Sequence, residues 1–313
     1  MKSFKHFVVE RDLTASADIN EILLAWYLVD NDWSKVYDGR NVKKTYDLKS
    51  SITDDDEFEQ QSERAWVMAE EVERWAASNG YRGKITRTWW TARKGVLSRA
   101  VGYEVDSRKN PTDVLALFSD GQFLGLSAKS TKGKGDIGFK NPGSGTFGRI
   151  LGIDLSGTHK QAQEDFANKF NLSLSSSARK KEIRANSKLT APANQARDMM
   201  LNALRNQLLT KLSSMKQEQL RNFIMDECMD AKPVLPRYIK VTGHGRGPFT
   251  ASISDPLAND KATVLATERI AIQAVGNDSV GVSAGDMSIL KIRFKQESQA
   301  MASSLKLSCE PWR

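Results

Sequence analysis

The chain has 313 residues, 40% of them apolar and 27% charged, with 46 Lys and Arg against 38 Asp and Glu and a net charge of +8. That size predicts one large elaborated domain or two modest ones, and the apolar share is enough for a sizeable core. A disordered chain, a collagen-like repeat and a disulfide-rich scaffold are excluded. Only two cysteines occur, Cys228 and Cys309, without C-x-x-C spacing. A Cys-based zinc site is therefore not expected, and a reducing, cytoplasmic location is. No apolar run approaches the roughly 18 residues that span a bilayer, so no membrane partner is expected. The apolar stretch within Met1–Asp12 is too short for a signal peptide.

The charge is uneven. Residues 1–80 carry 10 Lys and Arg against 17 Asp and Glu, whereas residues 81–150 carry 13 against 5. Lys129, Lys132, Lys134 and Lys140 form one basic stretch, and Arg179, Lys180, Lys181, Arg184 and Lys188 another. Lysine and arginine beside glycines and serines suit a phosphate backbone, whose condensed counterions they release on docking. A polyanionic partner is the expectation.

Along the chain, Ile19–Val29 reads as a short buried helix within an N-terminal segment, 1–51. Asp54, Asp55, Asp56 and Glu57 then open a long helical pattern, as negative charge does at the positive end of a helix dipole. Phe58, Ala65, Ala69, Val72 and Ala76 share one face of it, and Asn79-Gly80 ends it. Lys84–Ala92 is β-branched and aromatic. Asp113–Ser119 and Gln122–Ser130 are apolar runs separated by Asp120-Gly121, a strong hairpin signal. Residues 131–149 read as a Gly-, Lys- and Ser-rich loop. Ala196–Met229 is helical, amphipathic and basic. Strands are expected at Tyr238–Thr242, Phe249–Ile253, Ile270–Val275, Val280–Val282 and Ile289–Phe294. The order helix, strands, helices, strands predicts an α/β or α+β architecture around one central sheet.

The hairpin places chemistry together. A tight turn sets the start of its first strand beside the end of its second, so Asp113 should lie next to Ser127, Ala128 and Lys129. Ser127 and Lys129, two apart, project from one face. A carboxylate and a lysine on adjacent strand ends form a logical site for phosphodiester hydrolysis. The carboxylate can hold Mg²⁺ or Mn²⁺, which polarises the phosphate and lowers the pKa of a bound water. The lysine can position or deprotonate that water, or neutralise developing charge. A surface hairpin with a turn-initiating Asp and an edge-strand Lys would carry the same residues without chemistry.

Pro111-Thr112-Asp113, the turn, and Ser127-Ala128-Lys129 resemble the motif of the PD-(D/E)xK nuclease superfamily, which includes type II restriction endonucleases and archaeal Holliday-junction resolvases. The resemblance covers residues 54–130. It implies a restriction-endonuclease-like core: a helix, a three-stranded antiparallel meander, a further helix and strand, and a mixed sheet flanked by helices. Here a helical insertion would follow. The expected divisions are 52–160 for the nuclease core, 161–232 for the basic helices and 233–313 for a strand-rich region packed on that core. The implied activity is Mg²⁺-dependent DNA endonuclease, with Asp113, Ser127 and Lys129 catalytic and the Ala128 carbonyl completing the metal shell. One departure matters. The position normally occupied by Asp or Glu is Ser127, so the missing carboxylate is expected from the first helix: Glu73 by helical angle, ahead of Glu63 and Glu70. Glu73 and Asp113 would share the metal, while Lys132, Lys134 and Lys140 hold DNA phosphates. The alternative is a DNA-binding protein of the same shape without turnover.

Other segments carry less. His6, His159 and His244 have no ligand spacing. Thr242–Gly247 is a glycine-rich strand end in which Arg246 and backbone amides would contact phosphate or a base, or which is simply a turn. Trp89-Trp90 reads as core. There is no G-x-x-x-x-G-K-[ST] and no G-x-S-x-G motif. Residues 196–229 are a DNA-gripping arm built on Arg197, Arg205, Lys211, Lys216 and Arg221, or a packing layer, or the interface of a homodimer. Lys291, Arg293 and Lys295 share a strand face suited to backbone contacts.

Overall fold

The computed structural model describes residues 14–106, 109–133, 139–231, 233–296 and 299–312. The chain divides into two compact units, residues 1–135 with 233–256, and residues 136–232 with 257–313. Each has its own sheet, so the protein is a mixed α/β chain with two sheets where one central sheet was expected.

The first unit begins with α1 (Ala15–Tyr27), which is apolar almost all round: Ile19, Ile22, Leu23, Leu24 and Ala25 are buried. A helix of that kind belongs inside a core, and α1 is therefore a central element rather than part of a separate leading segment. After α2 (Gly39–Ser51) comes α3 (Asp55–Ser78). Its N-cap Asp54 accepts a hydrogen bond from the backbone of Glu57, and Asp55, Asp56 and Glu57 fill its first turn. Ala65, Met68, Ala69, Val72 and Ala76 are its buried face, and Gly80, at φ +86°, releases the chain from it.

The five-stranded sheet runs in the order β1 (Ile85–Trp90), β2 (Val114–Phe118), β3 (Phe123–Thr131), β4 (Tyr238–His244) and β5 (Thr250–Ser254). The first three form an antiparallel meander, β4 is parallel to β3, and β5 is antiparallel to β4. Helices α1 and α3 pack on one face, α1 against β1, β2 and β3 and α3 against β4 and β5. That face supplies Val114, Ala116, Leu124, Leu126, Ala128, Ile239 and Val241 to the core. Trp89 and Leu115 point the other way, against Val96 and Leu97 of the short helix α4 (Val96–Val101).

Parallel pairing of β3 with β4 needs a crossover, and the chain between them forms most of the second unit. This unit holds α5 (Ser144–Leu151), α6 (Leu155–Lys169), α7 (Ser176–Ala185), α8 (Thr190–Ser213), α9 (Gln217–Phe223) and α10 (Asp260–Thr267). They cover an antiparallel meander of β6 (Ile270–Val275), β7 (Ser279–Ala284), β8 (Met287–Gln296) and β9 (Leu305–Pro311). The expected 131–149 loop is in part structured, since β3 continues to Thr131 and α5 begins at Ser144. Beyond residue 257 the strands build this second sheet, and residues 139–160 belong to the same unit.

Several basic residues are structural. Arg205 donates to Asn202 and to the carbonyl of Gly276, and Arg221 donates to the carbonyls of Leu265 and Glu268, so α8 and α9 form a packing layer on the sheet. Arg179, fully buried, donates to the carbonyls of Met301, Ser173 and Leu174 and to Gln163. Arg293 and Lys295 pair with Asp278 and Glu310. Cys228 and Cys309, far apart in sequence, meet as free, buried thiols, and burial pushes the Cys228 thiol well up. Among the described residues no helix is long and apolar enough to cross a membrane.

Candidate active site

The site forms where the ladders of β1, β2 and β3 end. Asn110 is buried, and its Oδ1 accepts from the backbone N–H of Thr112 (3.2 Å) and from its hydroxyl (2.6 Å). Its Nδ2 donates to the carbonyl of Pro236, 2.9 Å away, which ties this approach segment to the start of β4. Asp113 follows with both backbone groups bound: its N–H donates to Leu126 (2.9 Å), and its carbonyl accepts from Thr91 (3.0 Å). Gly125 makes room here, since a Cβ would lie 2.2 Å from Thr112 Oγ1 and 2.9 Å from Tyr238 Cβ.

The Asp113 carboxylate gathers three donors on Oδ2. They are the backbone N–H of Ala128 at 2.9 Å, Lys129 Nζ at 3.2 Å and, at a longer 3.4 Å, the buried Ser127 hydroxyl. Lys129 Nζ also donates to the carbonyl of Ala128 at 2.9 Å. The hairpin thus assembles Asp113, Ser127 and Lys129. Burial nevertheless raises the Asp113 pKa above its ordinary value, with the Lys129 charge and the three hydrogen bonds only partly opposing it.

The second carboxylate comes from α1. Glu21 accepts a hydrogen bond from Trp90 Nε1 at 2.9 Å and lies in the fields of both Asp113 and Lys129. Its pKa is pushed up to about 7, first by burial and then by the Asp113 charge, against the smaller pull of Trp90 and Lys129. Glu73 does not reach this place. It lines a separate cavity with Asp30 and Lys84, whose charges perturb it, at the end of β1 where Ile85 pairs with Phe118. Asp113 precedes the opposite end, where Trp90 pairs with Val114. Five strand residues, about 15 Å, separate the two ends. The helical angle placed Glu73 near the apolar face of α3 without reporting which end of the sheet that face meets. The visible sign of Glu21 was its isolation: one carboxylate inside the apolar run Ile19–Val29.

The expected phosphate ligands are dispersed. Lys132 pairs with Glu57 on the first turn of α3 at 2.6 Å and stays half exposed. Lys140 is in the second unit, where its ammonium contacts Asp230 (2.8 Å) and the carbonyl of Asp226 (3.1 Å), so it is a staple rather than a free cation. Lys134 lies outside the described residues, as does His6. His159 contacts the carbonyl of Ser303, and His244 contacts Ser252 and the carbonyl of Gly133, both structural roles. Trp89 and Trp90 are buried as expected, and Trp90 also holds Glu21.

Comparison with protein-family models, with curated proteins and with solved structures gives no match. The chemistry of the residues therefore carries the functional argument. Among the described residues no three His, Cys, Asp or Glu side chains cluster as a metal site. Glu21 lies within the electrostatic reach of Asp113, which has the Ser127 hydroxyl beside its Oδ2. Two carboxylates whose ionisation burial disfavours are hard oxygen ligands of the kind a dication such as Mg²⁺ or Mn²⁺ prefers.

Proposed function

We propose that the protein is a metal-dependent DNA endonuclease with a restriction-endonuclease-like core of the PD-(D/E)xK type. The observation that carries this reading is the convergence of Ser127, Ala128 and Lys129 on one oxygen of Asp113, with Glu21 in the field of the same group. The topology of the first unit supports it: helices packed on an antiparallel meander whose second and third strands carry the site, followed through a crossover by a parallel strand. Glu21 takes the role first given to Glu73 and supplies the charge that Ser127 lacks.

In this reading Asp113 and Glu21 hold Mg²⁺ or Mn²⁺, which supplies charge compensation at the phosphate and acidifies a bound water. Lys129 meets the attacking water or the phosphate oxygens from the other side of Asp113, where its ammonium has two acceptors to exchange. Ser127 holds Asp113 Oδ2 in place through its hydroxyl. In the metal-free site Glu21 keeps its proton up to about pH 7, so loading the dication would displace that proton and leave Glu21 an ionised ligand.

Plasmid nicking with Mg²⁺ tests the assignment. Wild type should convert supercoiled DNA, while Asp113→Ala, Lys129→Ala and Glu21→Gln should each lose at least a hundredfold in rate. Unchanged cleavage by Asp113→Ala and Lys129→Ala would overturn the site. A wild type that binds DNA in a salt-sensitive way without cutting would instead favour a binding protein.

A further inference from the structure

Beside Asp113 the first unit has a cleft of about 780 Å³ that the hydrolytic residues leave unused. Its lining includes the buried Thr112, and also Thr91, whose N–H donates to the carbonyl of Asp113 and whose hydroxyl donates to that of Thr112, so the cleft lies beside the backbone that carries Asp113. Arg93, Lys94 and Arg99 line it, with Glu104 and Asp106 also present. Arg93 pairs with Asp38 at 2.8 Å, but its buried Nε–H has no acceptor among the described residues. Lys94 and Arg99 are exposed, and their side chains make no ion pair or hydrogen bond among the described residues.

We infer that this cleft receives the polynucleotide strand on which the Asp113 site acts, with Lys94 and Arg99 on its phosphates. The inference rests on the nuclease reading for the identity of the strand, and on the cleft itself for its placement. Two unpaired, solvated cations leading away from a buried carboxylate pair are what a chain of phosphates requires, since each docked phosphate releases counterions to a cation that loses no existing partner. The two carboxylates make the cleft a poor trap for a small free anion. Within a strand Glu104 has a use, as an acceptor for base amino groups beside a backbone held by the cations. Arg93 adds a donor that the described residues leave unmet.

The test measures affinity for a short labelled DNA duplex by fluorescence anisotropy, in chelator so that nothing is cut, from 0.05 to 0.2 M salt. Two phosphate contacts contribute about 1.8 to the slope of log K against log salt, so over this fourfold range wild type should lose about twelvefold more affinity than Lys94→Ala/Arg99→Ala. Glu104→Gln should tighten binding by removing a like charge from the path. Lys181→Ala/Arg184→Ala, which removes two exposed cations of the second unit, should leave the slope unchanged. An unchanged slope in the cleft variant, an equal drop in the control variant, or absence of DNA binding by wild type would overturn the inference. Failure of wild type to cut, with the slope difference intact, would sink the nuclease reading and leave the cleft as a strand-binding site. Normal cutting with an unchanged slope would do the reverse.

Discussion

Replacing Glu21 by Gln separates the charge of this group from its shape. The Gln side chain keeps an oxygen to accept from Trp90 Nε1 and fills nearly the same volume, so the hydrogen bond at 2.9 Å survives. What disappears is a carboxylate whose pKa is pushed from 4.5 to about 7 by burial and by Asp113. Because the folded state holds the proton more tightly than the unfolded chain, stability contributed by the protonated form is full below the unfolded value. It is lost as pH rises from about 4.5 to about 7. At about 1.4 kcal/mol per tenfold difference in proton affinity, the loss is about 3.5 kcal/mol. Glu21→Gln should therefore be more stable than wild type at pH 8 in chelator by that amount, and equal to it near pH 4. The melting temperature should rise by about 5–10 °C in a unit of this size. Urea unfolding followed by tryptophan fluorescence reads the correct unit, because six of the seven tryptophans precede residue 91. A dication should narrow the gap and then reverse the order. At ten times its dissociation constant it should stabilise wild type by about 1.4 kcal/mol and the variant little, and at a thousand times by about 4 kcal/mol, which exceeds the variant's lead. Parallel stability curves from pH 4 to 8, or a variant less stable than wild type at pH 8, would refute the placement of Glu21 beside Asp113.

Trp90→Phe removes the indole donor that lowers the Glu21 pKa. The acid limb of a kcat/KM profile for DNA cleavage should then move to higher pH, and a limb that stays in place would separate Glu21 from the chemistry. Gly125→Ala forces a methyl against Thr112 Oγ1 and Tyr238 Cβ. It should cost about 1–3 kcal/mol in urea unfolding and lower cleavage by displacing the segment before Asp113. Arg179→Met strips the donor from three carbonyls and from Gln163 in the second unit. Four acceptors left open, two of them in buried bonds, should cost at least about 2 kcal/mol, and proteolysis should then attack the second unit.

The strands of the first unit were legible because their signals are local. Asp120-Gly121 fixes the hairpin, and the register that follows from it brings Asp113 to Ser127 and Lys129 without any long-range information. The capping Asp54 and the Ala65–Ala76 face fixed α3 in the same way. The division into two units was not legible. Nothing near residue 135 or 233 says that β3 and β4 are neighbours in one sheet while the chain between them leaves to build another core. Helices such as α2 and α7, whose exposed polar faces outweigh a few buried residues such as Val42, Arg179 and Ile183, gave too little periodicity to find.

The carboxylate of the site illustrates the physical limit more sharply. Helical angle ranks the glutamates of α3 by the direction in which they project around the axis, but a sheet has two ends, and only tertiary packing says which end a given turn meets. Glu73 satisfies the angle and meets the wrong end, beside Lys84. Glu21 fails any test based on amphipathicity, because α1 has hardly a polar face from which to measure. Its signal is energetic instead. Burying one carboxylate in an apolar helix is costly unless a compensating charge arrives, and Trp90 and Lys129 together compensate it only in part. A helix that tolerates such a residue is stabilised elsewhere, by Ile19, Ile22, Leu23 and Leu24 in the core. Of the two carboxylates on α1, Asp18 pairs with Lys49, whereas Glu21 sits in the apolar run with only the Trp90 indole as its hydrogen-bond donor among the described residues, and that is the place to look for chemistry.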